Sequence, residues 1–362
     1  MASHQKPHNR SCFHIAIICA LPLEYDAVSL LFDQFWDEDG DWYGRAPGDT
    51  NTYTTGRIGR NDVVLALLPG MGKAAAAGAT SNIRFSYTGL KIAMLVGICG
   101  GIPAINGDEV LLGDVIISKA VVQYDFGRQF VGKFVAKDTI EESLGRPTKD
   151  IRGLVASFET ELGRERLQLQ AAKYLKAIQD AAVSKRRRSK YTCPDPSSDR
   201  LFAAAYRHMH RRPAICAICD ESVERYCEIA AKASCAELDC DESQLISRDR
   251  LEEAREPAIF VGRIASGDTV MKSGEHRDRV AAEHDVIAFE MEGAGAWDEV
   301  PCLIVKGVCD YADSHKNKAW QTYAAATAAA VMRAILNRYP VDDGPGNAGD
   351  SQGPPASWNG CS

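Results

Sequence analysis

The sequence predicts an α/β fold of three layers, α/β/α, around a central sheet that is mostly parallel or mixed. Two patterns lead to it. Short apolar runs rich in β-branched residues recur along the chain, bounded by Gly or polar residues, as buried strands require. Between several of them lie stretches of helical periodicity, and strand alternating with helix covers a sheet on both faces. The chain has 362 residues, 45% hydrophobic and 25% charged, enough to bury a full core.

In chain order, the strand-like runs are "FHIAIICA" (13–20), "DVVLALLPG" (62–70), "KIAMLVGICGG" (91–101), "GDVIIS" (113–118), "AIFVGRIASGD" (258–268) and "PCLIVKGVCD" (301–310). Helical patterns fall at 22–35, 73–87, 275–284, 291–298 and the Ala-rich 318–338, with a charged helical stretch from about 150 to 183. Residues 1–12 read as a tail and 13–340 as one folded domain. That domain carries an insertion at about 185–256, where "SKRRRSK" and then "YTCPDPSSD" break any element. The Lys185 to Lys190 run reads first as a solvated loop, with phosphate attraction or nuclear import as alternatives. Residues 341–362, rich in Gly, Pro, Ser and Asn, read as a disordered tail.

A net charge of −7 does not advertise a polyanion as the main partner, so nucleic acid is not expected. No run approaches the ~18 apolar residues of a membrane span, and the first twelve residues hold no apolar signal core. The expectation is a cytosolic or nuclear chain, cytoplasmic in the first instance, with no membrane partner. Of twelve cysteines, Cys19, Cys99, Cys302 and Cys309 lie in strand-like runs and read as buried thiols. Cys193, Cys216, Cys219, Cys227, Cys235 and Cys240 crowd the insertion. His208 and His210 with the Cys216/Cys219 knuckle offer half of a structural zinc site, but the other half has no standard spacing. Free thiols are the first reading there, a structural zinc the second, and no other cofactor is expected.

Ligands of open α/β sheets bind beyond the carboxyl ends of the strands. There this sequence places Glu24 in "ALPLE", Met71, Gly72 and Lys73 in "GMGK", Ile98, Cys99 and Gly100 in "GICGG", Asp268 in "SGD", Glu290, Met291 and Glu292 in "EME", and Asp310 in "CD". Glycines admit a ligand close to the backbone, and carboxylates offer acceptors for sugar hydroxyls and an acid or base. Taken singly, Glu24 reads equally as a first-turn helix residue and Asp310 as a cap or turn.

The ordered set "ALPLEYDAV", "GMGKAAAA", "VGICGG", "GDVIIS", "IASGD", "FEMEGAG" and "VCDYAD" resembles the purine nucleoside phosphorylase and nucleosidase superfamily. It is nearest to the 5′-methylthioadenosine/S-adenosylhomocysteine nucleosidase branch. "VVQYDFGR" and "CDYADSHKNKAWQTYAAATAAA" resemble, more narrowly, the nucleosidase-like domains that fungi place at the N-terminus of immune-receptor-type proteins. The resemblance spans about 13–338 apart from the insertion, and implies a nucleoside phosphorylase-like fold with a mixed central sheet.

Carried over residue by residue, it implies Asp310 as the acid that protonates the purine and Glu24 as the activator of water. It puts the ribose against Glu290, Met291 and Glu292. Base or sugar-face contacts fall on Met71, Val270, Met271 and Trp320, with Ile98, Cys99 and Gly100 along the base; Val270 stands where bacterial relatives carry Phe. Glu24 favours hydrolysis, because phosphorylases present Gly, Arg and Ser groups for phosphate. Asp at 310 rather than Asn suggests a 6-aminopurine. The expected activity is therefore an N-glycosidase acting on adenosine or its phosphates, including ATP, with depletion of a nucleotide pool as a purpose. Lys73, Arg128, Arg263, Lys272 and Lys306 are candidates for 5′-phosphate contact. The alternatives are a methylthioadenosine-type nucleosidase, a phosphorylase and a non-catalytic nucleotide sensor. The resemblance also implies a homo-oligomer.

Overall fold

The computed structural model describes residues 6–339 apart from 41, 138, 140–142, 212–215, 222–225, 254 and 317. The tail expected at 341–362 lies outside the described residues. In chain order the elements are β1 (Ile15–Cys19), α1 (Pro22–Ser29), β2 (Gln34–Phe35), β3 (Tyr53–Ile58), β4 (Asn61–Leu67), α2 (Lys73–Ser86) and β5 (Ile92–Gly101). A small hairpin of β6 (Ala104–Ile105) and β7 (Asp108–Glu109) precedes β8 (Val115–Gln123), and a second hairpin follows, β9 (Gly127–Phe130) with β10 (Lys133–Ala136). Helices α3 (Lys149–Phe158) and α4 (Glu161–Ser184) lead into the insertion, whose described residues include α5 (Ala217–Glu221), α6 (Glu228–Lys232) and short 3-10 turns. Then come β11 (Ile259–Ser266), α7 (Gly274–His284), β12 (Val286–Glu290), α8 (Gly293–Trp297), β13 (Cys302–Asp310) and α9 (Gln321–Leu336).

Nine strands form one mixed sheet in the order β12-β11-β8-β13-β5-β1-β4-β3-β2. β4, β1, β5 and β13 run parallel, as do β8, β11 and β12, while β13 meets β8 antiparallel. A further antiparallel pairing of β12 with β5, Ala288 to Gly101 and Phe289 to Gly100, closes β5, β13, β8, β11 and β12 into a ring. At that closure the carboxyl ends of β5 and β12 overlap, each running toward the other.

Burial explains the composition. β1 is buried at every position, and β13 at every position but the last, so both need continuous apolar residues rather than alternation. The Ala-rich α9 is buried from Tyr323 to Leu336, wedged against α4, α1, β5 and β13. Its closeness is set by small residues: a Cβ added at Gly307 would stand 2.0 Å from the Ala324 carbonyl oxygen. Cys19, Cys99, Cys302 and Cys309 are free, buried thiols within this core.

The helix expected over 22–35 stops at Ser29. Phe32 and Phe35 stack instead, at 4.7 Å between ring centroids, and 34–35 adds an edge strand to β3. Tertiary pairing overrides the helical periodicity there. Among the described residues, no helix is long and apolar enough to cross a membrane.

Candidate active site

β1 delivers Glu24 into the first turn of α1, which Pro22 starts. Its carboxylate is buried and pinned by backbone: Oε2 accepts from the N–H groups of Ala20 and Leu21, both at 2.9 Å, and Oε1 from that of Ile98 at 2.8 Å. Gly97 makes room for it, since a Cβ there would meet Glu24 Oε1 at 2.2 Å. Burial pushes the Glu24 carboxyl above its ordinary pKa, against the pull of the Lys306 ammonium and of the Leu21 and Ile98 N–H groups.

Lys306, in the middle of β13, is 1% exposed. Its Nζ lies 3.1 Å from Glu292 Oε2 and 3.7 Å from Glu290 Oε2, and its field also reaches Glu24. Desolvation opposes its charge, but the carboxylates of Glu292, Glu24 and Glu290 outweigh that and raise its pKa. The expectation of a phosphate contact at Lys306 is corrected here: its charge is already engaged by buried carboxylates.

Glu290 and Glu292 have separate tasks. Glu290 turns back on α8, accepting from Gly293 N at 2.9 Å and Glu292 N at 3.1 Å, while Ser266 Oγ takes the Ala294 N–H. Its side chain has no exposed surface, so it caps α8 rather than facing a sugar. The Gly-Ala-Gly-Ala run that follows seats α8 against α2, where a Cβ on Gly295 would lie 2.0 Å from the Lys73 carbonyl oxygen. Burial also raises the Glu290 pKa, offset in part by Lys306. Glu292 is held by Lys306, and Met291 beside it is half-buried.

Asp310 ends β13 at an irregularity: Val308 pairs with Cys99 and Asp310 with Gly100, leaving Cys309 as the extra residue of a bulge. The bulge aims the carboxylate across Gly100, where a Cβ would sit 2.9 Å from Oδ1. Asp310 Oδ1 accepts from Ala312 N and pairs with Lys316 Nζ, both at 2.8 Å. Gly97 and Gly100 therefore face the two acids, three residues or about 10 Å apart along β5.

The remaining candidates divide. Met71 and Val270 are 57% and 47% exposed at the strand-end loops, and Ile98 is half-buried, whereas Cys99 and Gly100 are buried. Met271 packs in a small core with Tyr124, Phe289 and Ala312. Trp320 is corrected: it is 0% exposed, its indole N–H donates to Ser198 Oγ and its ring meets Tyr323, so no face is open to a base. Lys73 binds Asp125 at 2.5 Å and lies 3.7 Å from Asp268, whose Oδ1 accepts from the Lys73 N–H across the buried Gly72. Arg263 points to Asp285, at 3.9 Å, and to the His284 carbonyl. Arg128, on the β9–β10 hairpin, and Lys272 are exposed.

Sequence reasoning missed Lys316 and Asp125, each inside a quoted motif but given no role. A cleft of about 1010 Å³ lies between α4, α9 and the start of β11, lined by residues such as Leu175, Arg255 and Tyr323. None of the strand-end acids lines it.

Residues 14–337 match the family described as the Phosphorylase superfamily. This chain belongs to that family. A nucleotide-binding leucine-rich repeat (NLR)-like protein of Hyaloscypha variabilis is 30% identical over 332 residues, covering 90% of this chain and 29% of that protein. This chain thus spans under a third of its relative's length. Among solved structures, the futalosine hydrolase of Helicobacter pylori superposes with a TM-score of 0.52 at 15% identity, covering 90% of this chain and 98% of that one. A 5′-methylthioadenosine/S-adenosylhomocysteine nucleosidase from S. pneumoniae, with a transition-state inhibitor, gives 0.52 at 16%, covering 90% and 98%. The family fold is therefore the mixed α/β fold shared with these nucleosidases.

Proposed function

We propose that the chain is an N-glycosidase that hydrolyses the glycosidic bond of an adenine nucleoside or nucleotide, releasing adenine and ribose or ribose phosphate. The observation that carries this reading is the pair of carboxylates set on either side of β5, Glu24 over Gly97 and Asp310 over Gly100. Glu24, its basicity raised by burial, takes a proton from water as oxygen attacks the anomeric carbon. The Asp310–Lys316 pair gives a proton to the departing base, so the reaction transfers no net charge. Glu292 accepts from the ribose hydroxyls, and Met291 packs on the sugar.

Water is favoured over phosphate as nucleophile by charge. Three buried carboxylates, Glu24, Glu290 and Glu292, face one buried cation, Lys306, and a phosphate dianion entering there meets net repulsion. The relative among NLR-like proteins and the solved nucleosidases support the reading, and for a nucleotide substrate the exposed Arg128 and Lys272 are the phosphate contacts proposed. A cytoplasmic homo-oligomer is part of the same proposal, with exposed Phe126, Phe130, Val131 and Phe134 around the β9–β10 hairpin as apolar surface for a second copy.

The test is chromatographic detection of adenine from adenosine, 5′-methylthioadenosine, AMP and ATP, with and without inorganic phosphate. Release without phosphate is expected, with the best substrate defining the 5′ group. An absolute phosphate requirement would make it a phosphorylase, and no adenine from any of the four would leave a sensor. The pH profile adds a second readout. The base must be ionised, so kcat/KM is expected to fall as pH drops through the raised Glu24 pKa, a limb lying above the usual Glu value of about 4.3. That limb should be missing from Glu24→Gln.

A further inference from the structure

The insertion brings five of its six cysteines, all but Cys193, and both of its histidines into two groups. In one, the ligand atoms of His210, Cys216, Cys219 and Cys227 all lie within 4.8 Å of one another; in the other, those of His208, Cys235 and Cys240 do. The Cys216 and Cys227 sulfurs are 3.7 Å apart, far beyond the ~2.05 Å of a disulfide. His210 Nδ1 stands 3.5 Å from Cys219 Sγ and 3.9 Å from Cys227 Sγ. His208 Nδ1 stands 3.4 Å from Cys240 Sγ and 3.8 Å from Cys235 Sγ. A zinc tetrahedron with Zn–S of about 2.3 Å and Zn–N of about 2.0–2.1 Å has edges of roughly 3.8 Å between sulfurs and 3.6 Å between sulfur and nitrogen. The observed spacings fall around those edges.

The supporting contacts fit the same chemistry. His208 Nε2 is 2.8 Å from the Ala233 carbonyl, which fixes the proton on Nε2 and leaves the Nδ1 lone pair toward the sulfurs. The surrounding Phe202, Ala230 and Leu238 form a small apolar core separate from the main one, too small to hold the segment in place without a cross-link. Three thiolates with imidazole, and two with imidazole, are soft donor sets that suit zinc.

We propose that the insertion holds two structural zinc ions, one on His210, Cys216, Cys219 and Cys227, the other on His208, Cys235 and Cys240. His315 stands beside the second set and supplies its fourth donor: its ring centroid is 5.1 Å from that of His208, outside the cluster of three ligand atoms, and its Nε2 is buried with no hydrogen-bond partner among the described residues. This regroups the donors expected from sequence, because His208 and His210 serve different ions.

The second ion braces the segment that follows Asp310. His208 N donates to Ser314 Oγ at 3.1 Å, and the His315 ring stacks on Phe202 and Tyr206 at 4.1 and 5.4 Å. Tyr311, next to Asp310, donates to Asp199 Oδ1 at 2.6 Å and accepts from Arg248 at 2.9 Å, both from the insertion. Zinc therefore acts on Asp310 as a positioning element, through the backbone that carries Asp310 and Lys316.

The experiment is zinc content of the purified chain by elemental mass spectrometry. About two zinc per chain are expected, falling to one in the Cys219→Ser/Cys227→Ser variant and to one in Cys235→Ser/Cys240→Ser. In His315→Ala the second ion should be lost to chelator far faster than in the parent. If a variant fails to fold, cobalt substitution of the unaltered chain replaces it, with intense thiolate-to-cobalt absorption expected. Absence of zinc together with freely reacting native thiols overturns the proposal, and one zinc per chain overturns the second site. Chelation should also raise hydrogen exchange at 311–316 but not in β1; unchanged exchange at 311–316 overturns the brace. None of these readouts depends on catalysis.

Discussion

Asp310→Asn is expected to slow adenine release by about 10²–10⁴-fold, the range a positioned general acid supplies. The substitution is close to isosteric. The side-chain oxygen of Asn still accepts from Ala312 N, and Gly100 still leaves the space, so the bulge at the end of β13 keeps its shape. What is lost is a group that can pass a proton on, and with it the partner of the Lys316 ammonium. The effect should fall on kcat with little change in KM and none in thermal midpoint, because ribose contacts through Glu292 and Met291 are untouched. A kcat within tenfold of the parent would remove Asp310 from the acid's role.

Lys306→Met is expected to cost about 3–5 kcal/mol of stability at neutral pH, the usual loss when one partner of a buried ionic cluster is deleted. Methionine fills similar volume, but Glu24, Glu290 and Glu292 are left buried with no cation among them. The loss should be pH-dependent with a definite sign. A carboxyl whose folded pKa lies above its unfolded value binds its proton more tightly in the folded chain, so folding is favoured as pH falls through the folded pKa. Burial already raises Glu24 and Glu290, and removing Lys306 takes away the main opposing influence on both. Denaturant midpoints should differ most at pH 8 and converge toward pH 5. Equal stability of parent and variant at pH 8 would show that the cluster is not charged as described.

The sequence revealed the strands whose burial is complete, since continuous apolar runs such as 13–20 and 301–310 have no other stable place. It also placed the acids at strand ends, but what joins them, the antiparallel closure of β12 on β5 and the buried Lys306 between them, is tertiary. Side-chain assignment by position along the motifs failed where burial decides what a residue meets. Lys306 stands among the candidates for a 5′-phosphate because such a group calls for cations; its place between Val305 and Gly307 in an apolar strand is the signal for a buried partner. Trp320 is a base contact by its position in the resemblance, but it leads into the Ala-rich α9, and that context marks a core position. Glu290 and Glu292 are two residues apart and look equivalent, and only the turn into α8 makes one a cap. The bulge at Cys309 left no trace in the sequence, because it depends on register with β5. The partition of His208 and His210 between two groups is equally a matter of three-dimensional placement.

The bare Cα atoms of Gly97 and Gly100 give β5 the character of a mould. Glu24 and Asp310 are each cast against a position that has no side chain, so neither acid can be moved without the same strand being remade. Acid and base come from distant parts of the chain, yet they share one template, and their spacing is inherited from the repeat of a single strand. Substitution is cheapest at exposed positions such as Met71, Val270, Arg128 and Lys272, which can change without touching the strand that seats both acids.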